Sequence, residues 1–182
     1  YIGQAALGIG VIFLGMNIMS SGVEPLRSKP FFLNLMGTLS KLPILGIIIG
    51  TMITSIIQAS SATIGMTIAL ARQGVIDLVA AMGLVIGSNI GTTITALLAC
   101  IGTSLNARRA ALVHLLFNFL GAILFLPFIN HFSVIVKLTA IDMAHQIANY
   151  HTMFNIITAL VFLPFLQYVG RLVVILLPGE EV

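Results

Sequence analysis

The chain has 182 residues, 59% of them hydrophobic and only 7% charged, with a formal net charge of +3. Soluble domains carry roughly 25% charged residues, so a soluble globular fold is excluded. The few cations suit lipid headgroups and form no basic patch with interleaved aromatics, which argues against nucleic acid as a partner.

The charged positions punctuate long apolar runs. This is the pattern of an all-α, polytopic membrane protein, because a spanning helix needs about 20 mainly apolar residues. A membrane barrel would show strictly alternating segments of about 10 residues, and none occur. Residues 1–23 are expected to form the first transmembrane helix, with Gly3, Gly8, Gly10 and Gly15 placed for close helix packing. Residues 24–41 carry Pro25, Arg27, Lys29, Pro30 and Lys41 and read as an interfacial arm or loop, with room for a short helix along the membrane surface. The sequence starts at Tyr1 without an initiator methionine or signal peptide and is expected to be a portion of a longer protein.

Leu42 to Ala71 is free of charge. As one helix it would reach about 45 Å, well beyond a hydrocarbon core of about 30 Å. A polar knot at Gln58–Ser61 sits near its centre, so residues 42–72 are expected to form a re-entrant hairpin of two half-length helices meeting at a polar tip. Irregular backbone at membrane depth must line a sheltered site. Residues 77–107 pose the same problem around Gly87, Asn89 and Gly91, and are expected to form a discontinuous helix broken around Ser88–Thr93. Two transmembrane helices at 108–130 and 143–170 follow, then a juxtamembrane tail at 171–182.

The last two spans share a repeat. HLLFNFLGAILFLPF from His114 aligns without gaps to HTMFNIITALVFLPF from His151, with eight of fifteen positions identical. Shared leucines and phenylalanines are cheap in apolar helices, but His-x-x-Phe-Asn together with Leu-Pro-Phe is not. His114, Asn118, His151 and Asn155 are expected to serve packing, with both asparagines bonding across helices. Isolated hydroxyls such as Thr38, Thr67 and Thr158 are expected to bond to the preceding turn. Cys100 stands alone in an apolar stretch, without a disulfide or thiol metal site.

The spans carry no charged group other than histidine. Any ion handled here is therefore held by dipoles: hydroxyls, amides, unwound carbonyls and helix N-termini. Ser60, Ser61 and Thr63 would begin the second arm of the hairpin. Thr92, Thr93 and Thr95 would begin the second half of the broken helix. No nucleophile with its base, paired carboxylate, P-loop or zinc site is present, so an enzyme is not expected.

QASSAT at 58–63, GSNIGTTIT at 87–95 and RRAALVHLLFN at 108–118 resemble the type II sodium–phosphate cotransporters and their bacterial relatives. That family carries a Gln-Ser-Ser-Ser signature and a following Gly-Ala/Ser-Asn-Ile-Gly-Thr-Thr segment in each of two inverted repeats, and this chain looks most like the second, C-terminal one. The resemblance implies sodium-coupled secondary transport of inorganic phosphate, with sodium as coupling ion and no other cofactor. It implies phosphate binding by Ser60, Ser61, Asn89 and Thr92, and sodium binding by Gln58, Ser61, Ser88, Thr92 and Thr95. It also implies the bacterial inner membrane, a missing partner repeat in the same full-length chain, a homodimer, and a cytoplasmic regulatory domain entered through PGEEV. Ala59 departs from the pattern, replacing the first serine of the signature. Transport or export of another oxyanion, an ion channel and a membrane phosphate sensor are the alternative readings.

Overall fold

A computed structural model describes residues 1–179, with Arg27 described by its backbone alone. Among these residues there are helices and turns and no strand. Four helical stretches are long and apolar enough to cross a membrane: Ile2–Leu26, Leu78–Ala99, Leu105–Lys137 and Met143–Leu176. The chain is an all-α polytopic membrane protein. Residues 180–182 of the expected tail lie outside the described residues, and residues 166–176 of its approach are helical.

The first helix, α1 (Ile2–Val23), buries only Val23. The close packing expected of its glycines is absent within this chain, since nothing lies within 4 Å of a Cβ built on Gly3, Gly8, Gly10 or Gly15. The expected arm is mainly helical. After a short 3-10 turn, α2 (Pro30–Lys41) starts on a proline whose missing N–H costs nothing at a helix start. It buries Met36 and Leu39 and meets α3 (Pro43–Ile57) at 116°.

α3 ends at Gln58, whose φ of 58° puts a non-glycine residue in the left-handed region. That conformation costs roughly 1–2 kcal/mol for an L-residue with a Cβ. Ala59 is extended, and α4 (Ser60–Arg72) then starts. The two arms are tied near the break by a 2.7 Å hydrogen bond between the Thr54 and Thr63 hydroxyls, both fully buried.

The central element is α5 (Leu78–Ala99), capped at its start by Asp77, whose carboxylate accepts the Ala80 N–H at 2.8 Å. It runs unbroken through Ser88–Thr93, which corrects the expectation of a discontinuous helix. The interruption falls later, at residues 100–104. The reason is what the glycines do. Gly83, Gly87 and Gly91 recur every four residues on the side of α5 that meets Gly46 and Gly50 of α3. A Cβ on Gly87 would overlap the Ile47 carbonyl, and one on Gly50 would overlap the Leu84 carbonyl. These glycines allow backbone-to-backbone approach, the use small residues have in membrane helix pairs. Thr51 crosses the same seam, with its Oγ1 2.8 Å from the Ile47 carbonyl and 3.1 Å from that of Gly87.

Ser104 caps α6 (Leu105–Phe125). A 3-10 turn at Leu126–Phe128 leads into α7 (Ile129–Lys137). α8 (Met143–Phe162) is capped by Asp142 and passes through a second 3-10 turn, Leu163–Phe165, into α9 (Leu166–Leu176). Both spans thus continue past the bounds the sequence suggested. Each copy of Leu-Pro-Phe makes the same turn, because a proline inside a helical run removes a hydrogen bond and tightens the turn around it.

The repeated segments pack against each other antiparallel. Phe117 meets Phe162 edge-on at 5.5 Å, and Phe125 meets Phe154 at 4.8 Å. Swapping the repeat copies converts one of these pairs into the other. Between them Gly121 faces Thr158, its own counterpart in the repeat, so the exchange is centred there. A Cβ on Gly121 would lie 2.9 Å from both the Thr158 methyl and hydroxyl. The seam has room for one side chain at its centre, and α8 supplies it.

Candidate functional site

The break between α3 and α4, the middle of α5 and the repeat helices α6 and α8 converge on a cavity of about 340 Å³. Its polar lining is Ser60 from α4, Asn89 and Thr92 from α5, His114 and Asn118 from α6, and Asn155 and Thr158 from α8. Phe117, Phe154 and Ala159 complete it. Among the described residues no lysine, arginine, aspartate or glutamate lines it. Its chemistry is that of hydroxyls, amides and one imidazole.

Three of the four residues implied for phosphate thus share one cavity: Ser60, Asn89 and Thr92. The fourth, Ser61, is exposed and lines a second cavity of about 620 Å³ between α1 and α4. Ser60 and His151 also line that second cavity, so Ser60 belongs to both.

The residues implied for sodium are spread out. Gln58 is exposed on the turn. Ser88 is fully buried and its hydroxyl donates to the Val85 carbonyl at 2.8 Å. Thr92 donates to the Ser88 carbonyl at 2.8 Å and lines the cavity, and its oxygen retains lone pairs that can accept. The Thr95 Oγ1 is buried without a hydrogen-bond partner among the described residues, away from that cavity's lining. Within this chain only Thr92 of the five lies on the shared cavity.

The helix start expected at Thr92, Thr93 and Thr95 does not form, because α5 is continuous there. The start of α4 is a true helix N-terminus. Its N-cap, Ala59, has no side-chain acceptor, so the first turn is not capped by a side chain.

Asn89 is only 7% exposed. Its Oδ1 accepts a 3.1 Å hydrogen bond from His151 Nε2, and its Nδ2 is buried with no partner among the described residues. Buried amide donors are rarely left unpaired in folded proteins. Asn89 lines the polar cavity, so this donor is available to pair with a ligand.

Asn118 and Asn155 do not bond across helices as expected. Each turns its Nδ2 back to the fourth preceding carbonyl, on His114 at 3.0 Å and His151 at 2.8 Å. Both side chains still line the cavity. The interhelical bond of the repeat is made by His151 instead.

Thr38 and Thr67 bond to the preceding turn as expected, at 2.8 Å each. Thr158 does not: its hydroxyl is buried and unpartnered among the described residues, on a side chain that lines the cavity. The sequence held one signal for it, the pairing of threonine with Gly121 at the centre of the repeat.

A family profile described as Na+/Pi-cotransporter matches residues 11–163, from the middle of α1 to the end of α8. An uncharacterized protein of Bacillus subtilis strain 168, YqeW, is 35% identical over 179 residues. That match covers 98% of this chain and 58% of YqeW, so the chain spans little more than half the length of this relative. No solved structure gives a significant match. With a profile covering most of its length and both polar motifs at one cavity, the chain belongs to the Na+/Pi-cotransporter family.

Proposed function

We propose that this chain forms part of a secondary transporter that moves inorganic phosphate coupled to sodium across a cell membrane. The observation that carries this is the Asn89 Nδ2, a buried donor without a partner among the described residues, on a side chain that lines a cavity of hydroxyls, amides and one imidazole. An oxyanion needs donors, and Asn89, Ser60 and the uncapped start of α4 supply them. Sodium beside the anion would offset part of its charge, which a cavity without lysine or arginine otherwise cannot do. Thr92, Asn118, Asn155 and Thr158 add neutral oxygens of the kind sodium takes. The break at Gln58–Ala59 acts in this reading as the tip of a re-entrant hairpin, the kind of interrupted helix that forms ion sites at membrane mid-depth. The length of YqeW beyond the match allows a second repeat that closes the exposed side of the cavity, where Asn155 and His114 now lie open.

The test is uptake of labelled phosphate by the intact protein in proteoliposomes, with and without a sodium gradient and with sulfate as competitor. Saturable, sodium-dependent uptake that sulfate does not displace is the expected result. Replacing Ser60 and Ser61 together with alanine should weaken apparent phosphate affinity about tenfold or more, since the Ser60 hydroxyl contact to a charged ligand is lost. Unchanged affinity in a folded double variant would overturn the site.

A further inference from the structure

The repeat places a histidine at the same position in each copy, but the two do different things. His114 is exposed, and its side chain has no hydrogen-bond partner among the described residues. His151 is half-buried and reaches from α8 to α5, where its Nε2 meets Asn89 Oδ1 at 3.1 Å. The geometry points to His151 as a positioning residue, one that fixes the amide of Asn89 so that its NH2 faces the cavity as a donor to the bound anion.

The argument is one of amide orientation. An asparagine amide has a donor end and an acceptor end, and a half-turn about its last bond exchanges them. Facing an oxyanion, the donor end attracts and the acceptor end repels. Nothing on α5 itself selects between them, since Asn89 makes no other side-chain hydrogen bond and its Nδ2 is unpartnered. An Nε2–H from His151 satisfies Oδ1 and so holds the NH2 outward. His151 does this from the second cavity, whose wall it shares with Ser60, so it need not touch the ligand itself.

This inference rests on the phosphate reading above, and the test separates the two. Phosphate uptake by the intact protein is measured for Asn89→Ala, His151→Gln, His151→Met and the Asn89→Ala/His151→Met pair. Glutamine and methionine have similar lengths, but only glutamine carries a terminal N–H to donate. His151→Met should raise the half-saturating phosphate concentration about tenfold with the maximal rate unchanged, and His151→Gln should stay near the parent. In the pair, loss of His151 should add almost nothing to loss of Asn89, because it acts only through that amide. Multiplying effects in the pair, or equal losses for Gln and Met, would overturn the positioning role while leaving the phosphate reading intact. If His151→Met does not fold, a folded His151→Gln with the weakened affinity of Asn89→Ala overturns it equally. A parent protein that takes up no phosphate overturns the transport reading, and this assignment with it.

Discussion

In residues 42–71 the chain turns at Gln58 and Ala59, whereas in residues 78–107 it runs as one helix through Gly87, Asn89 and Gly91 and turns only beyond Ala99. Both runs are uncharged, both carry a cluster of hydroxyls with one amide, and both contain glycines. The glycines do not set the break at Gln58. Gly46 and Gly50 of the first run lie within α3 and Gly65 within α4, while Gly83, Gly87 and Gly91 of the second lie within α5, where the rows of α3 and α5 meet, and Gly102, at φ 76°, sits in the turn beyond α5. The break falls at Gln58, which has no glycine beside it and adopts the left-handed conformation despite its side chain. Glycine in these helices therefore signals close approach, and the polar tip is held by tertiary contact, in particular the Thr54–Thr63 bond.

The largest effect should come from filling the glycine seam. Gly87→Leu should cost about 3 kcal/mol or more, because the Ile47 carbonyl has no flexible side chain to move aside. Thermal unfolding in detergent would read this as loss of the folded state or a large fall in midpoint. Gly37→Ala on α2 is the matched comparison, since nothing lies within 4 Å of its Cβ. It should leave stability unchanged or raise it by up to about 1 kcal/mol through helix propensity. Similar losses at both positions would mean that the glycines matter for backbone freedom and not for approach.

The tie at the tip should give the next largest effect. Thr54→Val leaves the Thr63 hydroxyl buried without its partner and should cost about 1–2 kcal/mol. Replacing both threonines with valine removes the orphan and should recover most of that loss, measured by the same unfolding experiment. A double variant worse than either single would show that the hydroxyls do more than satisfy each other.

Much of this was legible in the residues. Charge punctuation located the spans, because a charge at membrane depth is costly enough to be kept to the ends. The cluster at Gln58–Ser61 located the turn. The continuity of α5 was not read, because a glycine pair is compatible with unwinding or with packing until its partner is known. The spacing of four in Gly46–Gly50 and Gly83–Gly87–Gly91 was the available clue, and it needs the two segments to be set against each other. At the cavity, Ser60, Asn89 and Thr92 were readable from their motifs. Thr158 and the two repeat asparagines were not, since a lone hydroxyl or amide in a helix usually serves its own backbone, as Asn118 and Asn155 in part still do.

The smallest and most diagnostic change is Ala59→Ser. Residue 59 is extended, with φ −143° and ψ 101°, and is the N-cap of α4. A serine there can accept the N–H of Ser61 or Ala62, as N-cap side chains do for the second and third helical residues. The capping gain is typically about 1 kcal/mol, read as a rise of a few degrees in unfolding midpoint. The half-saturating sodium concentration should stay where it is. The opposite pattern, a sodium shift without a change in stability, would make position 59 an ion ligand. The two outcomes divide the tip cleanly. In the first, the turn between α3 and α4 is a helix start whose free N–H groups are kept open toward the cavity. In the second, it is a cluster of hydroxyl ligands of which this chain has one fewer, and the contrast with the unbroken α5 would then lie in ion chemistry and not in capping.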